Sequence, residues 1–143
     1  MFDLVQHGPD TYVGTGPRYP WGGLYGGQIV AQALRAASNT IDVDSPDSGK
    51  IVHSLRAYFI RRGDPSEPVR YEVDRIRNGR SFSTRRVVAR QAIGAILNLE
   101  ASYQRPEASP TVRPVTMPDV PAADDLEESS WSDDFARRFV PEE

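Results

Sequence analysis

The sequence predicts an α+β fold, an antiparallel β-sheet wrapped around one long central helix, and three observations carry that expectation. Residues 25–40 (YGGQIVAQALRAASNT) hold one helical pattern, with Ile29, Ala33, Ala36 and Ala37 on a common face and Val30 and Leu34 beside it. Four long strand candidates follow, Ile51–Ile60, Val69–Arg77, Ser81–Arg90 and Ala92–Tyr103, joined by short connections. One connection contains Asn78-Gly79, the dipeptide that suits the two positive-φ positions of a tight hairpin turn. Strands joined this closely pair antiparallel, because a parallel pair needs a crossover of roughly a dozen residues or more.

Taken in order, residues 1–23 are rich in Gly, Pro and aromatic side chains. Thr11–Val13 reads as a short strand, after which Gly14, Gly16, Pro17, Pro20, Gly22 and Gly23 interrupt any regular pattern. The helix over 25–40 buries mostly alanine and glycine, so it can lie very close to a neighbour, and a sheet curling around it is the natural one. Asp42–Lys50 is a polar loop containing Pro46 and Gly49, and Arg62–Pro68 is a turn. Val69, Tyr71 and Val73 alternate, Arg75 breaks the pattern and Ile76 resumes it. That slip of one residue implies a bulge. The sheet is expected to have five or six strands.

Residues 1–105 are expected to form the folded domain and residues 106–143 a proline-rich acidic linker. Pro106, Pro110, Pro114, Pro118 and Pro121 punctuate the second segment. Within it, Ser132–Phe139 is expected as a short helix capped by Ser132, with Asp133 and Asp134 in the first turn where the helix dipole favours acids.

The chain has 143 residues, enough for one hydrophobic core. No apolar run approaches the ~18–20 residues of a membrane-spanning helix, and the N-terminus MFDLVQHGPD does not read as a signal peptide. There are no cysteines, which excludes disulfides, thiolate metal sites and a cysteine nucleophile, and fits a cytoplasmic protein. Two histidines, His7 and His53, are too few and too far apart to suggest a metal centre. Residues 119–143 hold nine acidic and two basic side chains, a net of −7, so the first 118 residues carry +4 of the overall −3. A mildly basic body suits an anionic small ligand; the plainer reading is a solvated acidic linker. Nothing points to nucleic acid.

A helix of small residues followed by long antiparallel strands is the element order of a hotdog fold. The run GGLYGGQIVAQAL resembles the central-helix motif of the acyl-CoA thioesterase II family. IVHSLRAYFIRRGDPSEPVRYEV resembles that family's next two strands, RIRNGRSFSTRRV its hairpin, and ASYQRPE followed by TMPDVPAADDL the end of its first half. The match runs in order over roughly residues 10–125. Family members carry two hotdog units, and their usual catalytic set of an acidic residue, a hydroxyl residue and a glutamine belongs to the second. Those positions have no counterpart here. The resemblance therefore implies an amino-terminal hotdog unit that pairs with a second unit or, as a homodimer, with a second copy. Its substrate would be acyl-CoA, with no metal and no organic cofactor. Gln28 matches the helix position of the second unit's acidic residue, and His53 lies in the HS motif considered reactive in the family.

The candidate site residues each have a functional and a structural reading. Gly26 and Gly27 sit at the helix N-terminus, where free N–H groups and a positive dipole end can stabilise the oxyanion of a thioester carbonyl. Alternatively these glycines only permit tight packing. Gln28 can position a water or the carbonyl but cannot act as a base, since its amide does not titrate; otherwise it packs or caps. His53 is the one strand residue with an ordinary pKa suited to proton transfer near neutrality, or else it bonds a neighbouring carbonyl or faces a dimer seam. Arg61, next to Arg62 and Asp64 in the turn RRGDP, can meet a coenzyme A phosphate, although Gly-Asp-Pro is also ordinary turn chemistry. Tyr58, Phe59 and Phe82 line either the core or an acyl pocket. Among Arg77, Arg80, Arg85, Arg86 and Arg90, alternation puts Arg85 and Arg86 on opposite faces, and one or two can hold the nucleotide end of coenzyme A.

The function expected is hydrolysis of fatty acyl-CoA to free fatty acid and coenzyme A by direct attack of water, since no nucleophile stands out. The alternative is a non-catalytic hotdog half that binds acyl-CoA or supports a catalytic second unit. A hotdog dehydratase fits less well, because no histidine lies in residues 25–40.

Overall fold

The computed structural model describes residues 2–41, 49–130 and 135–141. Its elements are β1 (Leu4–Gly8), β2 (Thr11–Gly14), α1 (Gly26–Ser38), β3 (Ile51–Phe59), β4 (Val69–Asn78), β5 (Phe82–Gln91) and β6 (Gly94–Gln104), followed by a 3-10 turn at Ala123–Asp125. The six strands form one antiparallel sheet in the order β1-β2-β4-β5-β6-β3. Helix α1 packs on one face and touches β2 through β6. This is the hotdog arrangement, α+β as expected.

The strand not foreseen is β1. Its five residues are mostly exposed, so it lacks the buried alternation that marks β2, β4, β5 and β6. Its turn into β2 is closed by Asp10 at φ 52, a left-handed position that aspartate tolerates better than most residues. The expected loop Asp42–Lys50 lies outside the described residues over 42–48.

The core forms where α1 meets the sheet. Across the strands, Val73 opposes Val87 and Val87 opposes Leu99, while Tyr71, Ala89 and Leu97 form the next row. All six are buried. Ala33, Ala36 and Ala37 are fully buried beneath them, and their small side chains allow the close approach foreseen from the sequence. Arg70, Glu72, Asp74, Arg86, Arg90, Glu100 and Ser102 alternate with the core rows and point to the outer face.

The bulge expected in Val69–Arg77 is present: Asp74 pairs with Arg86 and Arg77 with Thr84, so β4 carries one extra residue. A second bulge, not foreseen, lies between Val52 and Ser54 and holds His53. The Asn78-Gly79 turn is a correction. Neither residue has positive φ, Asn78 pairs with Ser83, and the Gly79 N–H donates to the Phe82 carbonyl at 2.8 Å. Gly79 therefore faces Phe82, and the chain reverses at Arg80-Ser81, just beyond the expected dipeptide. Glycine is needed at position 79 for space, because a Cβ would stand 2.8 Å from that same carbonyl oxygen. The positive φ falls instead on Gly94, at 112°, where the turn enters β6.

Residues 1–107 and 108–143 form two compact units. In the second, the helix expected over Ser132–Phe139 is a further correction. Residues 132–134 lie outside the described residues, and 135–139 are not helical. Arg138 pairs with Glu128 in an antiparallel bridge, supported by an ion pair of 3.1 Å. The Arg137 carbonyl accepts the Ser129 N–H at 2.7 Å, which keeps it in the bridge. No described helix is long and apolar enough to cross a membrane.

Candidate functional site

Helix α1 starts without a side-chain cap. Tyr25 is the N-cap in an extended conformation, its side chain makes no cap hydrogen bond, and the first turn has no acid. The ladder begins with Gln28 and Ile29, whose N–H groups donate to the Tyr25 carbonyl at 3.1 and 3.2 Å. Gly26 and Gly27 thus occupy the first turn, where N–H groups have no carbonyl one turn earlier. Both must be small. A Cβ at Gly26 would stand 3.0 Å from the Phe59 ring, and one at Gly27 2.6 Å from the ring of Tyr25.

Aromatic side chains border this terminus. Tyr19 stacks on Trp21 with centroids 4.5 Å apart, and Tyr25 meets Trp21 edge-on at 6.0 Å. Arg62 reaches into the loop and donates to the carbonyls of Trp21 and Gly22 at 3.0 and 2.9 Å. Arg61, exposed beside it, donates to the Ala95 carbonyl at 2.8 Å. Asp64 accepts the hydroxyl and the N–H of Ser66, and these hydrogen bonds, the hydroxyl's first, hold its carboxyl below the usual carboxylate range.

Gln28 is buried inside the first turn. Its Oε1 accepts the Tyr19 hydroxyl at 2.7 Å and its Nε2 donates to the Thr15 carbonyl at 3.2 Å. One turn later, Gln32 donates to that same carbonyl at 2.9 Å and accepts the Tyr71 hydroxyl at 2.7 Å. Tyr19, Gln32 and Tyr71 were not singled out in the sequence. The available signal was two glutamines four residues apart on the apolar face, after a Gly-Thr-Gly segment.

His53, Tyr58 and Phe82 lie elsewhere. His53 Nε2 is 2.9 Å from Ser102 Oγ, and its ring meets Phe82 edge-on at 6.1 Å. Ser102 pairs with Thr84, and Tyr58 with Asn98, in rows that point away from α1. Tyr58 is exposed beneath the Arg56 guanidinium, 5.4 Å from its ring centroid. A shallow cavity of about 290 Å³ runs beside Ser54, Arg56, Thr84, Glu100 and Ser102. Gly26 touches Phe59, six residues beyond His53 along β3, which is roughly 20 Å of strand. Within one unit, then, the structure holds Gly26, Gly27 and Gln28 at the helix end, while Arg61 turns to the Ala95 carbonyl and Arg62 reaches the loop before the helix. It leaves His53, Tyr58 and Phe82 on the opposite face of the sheet.

The arginine group divides as well. Arg85 is buried, and its guanidinium donates to Thr40 Oγ1 at 2.7 Å and to the carbonyls of Arg77, Thr84 and Thr40 at 2.9, 3.0 and 3.1 Å. It is interior scaffolding and does not point outward to a ligand. Arg86 and Arg90 face solvent, paired with Asp74 and Glu72; Arg80 is exposed.

Residues 15–104, which include all of the strands and the helix except β1 and β2, match the family described as Acyl-CoA thioesterase N-terminal domain. The chain belongs to that family. Among curated members, it is 48% identical to acyl-coenzyme A thioesterase 8 of Mus musculus over 103 residues, 72% of this chain and 31% of that protein. It is 39% identical to acyl-CoA thioesterase 2 of Haemophilus influenzae over 83% of this chain and 40% of that one. The solved acyl-CoA thioesterase II TesB2 from Mycobacterium marinum is similar at 36% identity and a TM-score of 0.73, covering 88% of this chain and 45% of that chain. A hotdog-fold protein from Alicyclobacillus acidocaldarius superposes with a TM-score of 0.75 at 21% identity, a likeness of fold. The chain thus spans about a third of the curated relatives and just under half of the structural ones.

Proposed function

We propose that this chain is the amino-terminal hotdog unit of an acyl-CoA thioesterase that hydrolyses fatty acyl-CoA to free fatty acid and coenzyme A in the cytoplasm. The observation that carries the reading is the uncapped, glycine-lined N-terminus of α1 in a domain of this family. In the proposed step, a water oxygen attacks the thioester carbonyl and its proton passes to a general base. The carbonyl oxygen becomes an oxyanion held by the N–H groups of the first turn. The C–S bond then breaks, and coenzyme A leaves as a thiol once its sulfur is protonated. Arg61 and the exposed arginines of the hairpin are the proposed contacts for the coenzyme A phosphates.

A second unit completes the proposal. Strand β3 is a sheet edge whose Ile51, Val52, Leu55, Tyr58 and Phe59 are all exposed. An exposed apolar edge is a template for another strand. The partner is a second hotdog unit or a second copy of this chain. Antiparallel pairing along β3 would carry the far end of the partner strand toward the α1 N-terminus and supply the base that Gln28 cannot be.

The second reading is a supporting half without chemistry of its own. It is favoured by the separation of His53 from Gly26 along β3 and by the engagement of Gln28 with Tyr19 and Thr15. The deciding experiment follows thiol release from a panel of acyl-CoA esters, with His53→Ala and Gln28→Ala alongside the parent. Turnover by the chain alone, lost in either variant, supports an active unit. A folded chain that binds acyl-CoA without turnover leaves the supporting role, and no binding at all sinks both an active unit and an acyl-CoA-binding half.

A further inference from the structure

We infer that Tyr71, Gln32 and Tyr19 are positioning residues for the site at the α1 N-terminus, acting through Gln28 and the Thr15 carbonyl. The inference rests on the function proposed for that site. Gly14 and Gly16 flank Thr15, and each is occupied from the helix side. A Cβ at Gly16 would lie 2.1 Å from Gln28 Nε2, and one at Gly14 2.9 Å from Gln32 Nε2. The two glycines are therefore the slots in which two amides lie. The carbonyl between them accepts both amides, one on each lone pair.

The outer ends of this chain are tied as well. The Tyr19 hydroxyl donates to Gln28 Oε1 and the Tyr71 hydroxyl to Gln32 Oε1, each at 2.7 Å. Each amide is thus held in one orientation, because a flip would set its oxygen against the Thr15 carbonyl oxygen. Buried packing alone would not need this polarity; leucine fills a similar volume. The chain of bonds starts on β4, a central strand, crosses α1 and ends at Tyr19. Tyr19 stacks on Trp21 and touches Tyr25, whose ring covers Gly27. The rigid sheet is connected in this way to the residues that border the first-turn N–H groups. Fully satisfied buried networks of this kind fix geometry more than they add stability.

The test compares Tyr71→Phe, Gln32→Leu and Tyr19→Phe in the full chain with Val73→Ala, which weakens β4 without touching the network. Steady-state hydrolysis of palmitoyl-CoA and amide hydrogen exchange are measured together, well below each unfolding temperature. The network variants should lower kcat about tenfold with KM within about twofold. They should also speed exchange at residues 28 and 29 while the amides of Val87 and Leu99 stay protected. Val73→Ala should change exchange uniformly and keep the parent kcat. Gln32→Glu should recover activity at low pH, where the protonated carboxyl can donate to Thr15, and lose it as pH rises. Parent kcat in all three network variants, or exchange that rises uniformly in them, overturns the positioning role. A parent chain that does not turn over acyl-CoA counts against the proposed function, and the exchange pattern then decides the positioning role by itself.

Discussion

Gln28 occupies the space that a side chain at Gly16 would fill: a Cβ there would stand 2.1 Å from Gln28 Nε2 and 2.6 Å from Oε1. Gly16→Ala must therefore expel a buried amide from its bonds to Tyr19 and Thr15. The expected cost is about 1–3 kcal/mol, from overpacking and the loss of satisfied polar groups. Urea unfolding of the variant should show a lower midpoint at an unchanged slope. A midpoint equal to the parent's would mean that the loop moves freely and that the slot is not a constraint.

Alkaline pH should unfold this protein through its buried tyrosines. Burial holds the Tyr71 hydroxyl well above its ordinary value. Burial also raises Tyr103, against partial relief from the Ser38 hydroxyl. The unfolded chain ionises these groups near pH 10 while the folded protein keeps them protonated. The unfolded state thus binds fewer protons, and stability, fully present below pH 10, falls as pH rises through and beyond it. Tyr71→Phe should remove part of that alkaline slope while lowering stability at neutral pH by about 1–3 kcal/mol, because Gln32 Oε1 loses its donor. Phenolate absorbance followed against unfolding would measure both effects.

Arg85 holds the end of α1 to the hairpin through four hydrogen bonds to neutral oxygens on Thr40, Arg77 and Thr84. Arg85→Ala leaves these buried acceptors without that donor and opens a cavity, at a cost of about 3 kcal/mol or more. Arg85→Lys should recover only a part, since a single ammonium cannot reach oxygens spread across a guanidinium fork. Equal stability of the alanine variant, by the same unfolding assay, would contradict this interior role.

The β3 edge should govern association. Leu55 and Phe59 point to the helix side of the edge strand and are exposed at 43% and 61%. Replacing both with lysine, a charge that discourages strand addition, should shift the chain toward monomer in sedimentation velocity. A mass that does not change between parent and variant would place any association elsewhere.

The sequence by itself determined the order of elements, the small-residue face of the helix, the bulge in β4 and the boundaries of four strands to within a few residues. Each is a local property: spacing of apolar side chains, glycine and proline positions, and turn lengths. Its resemblance to acyl-CoA thioesterases also pointed to the family that residues 15–104 match. Tertiary structure alone decided what the polar residues do. In the sequence, Gln28 and Arg85 are open between a site and a structural role and Gln32 carries no reading, yet each is buried because a partner from another element satisfies it. The bulge at His53 depends on register with β6, far away in the chain. Whether a histidine and a helix end meet is likewise a matter of which face and which end of a strand each occupies. Those distances are set by pairing across the sheet, and no local pattern records them.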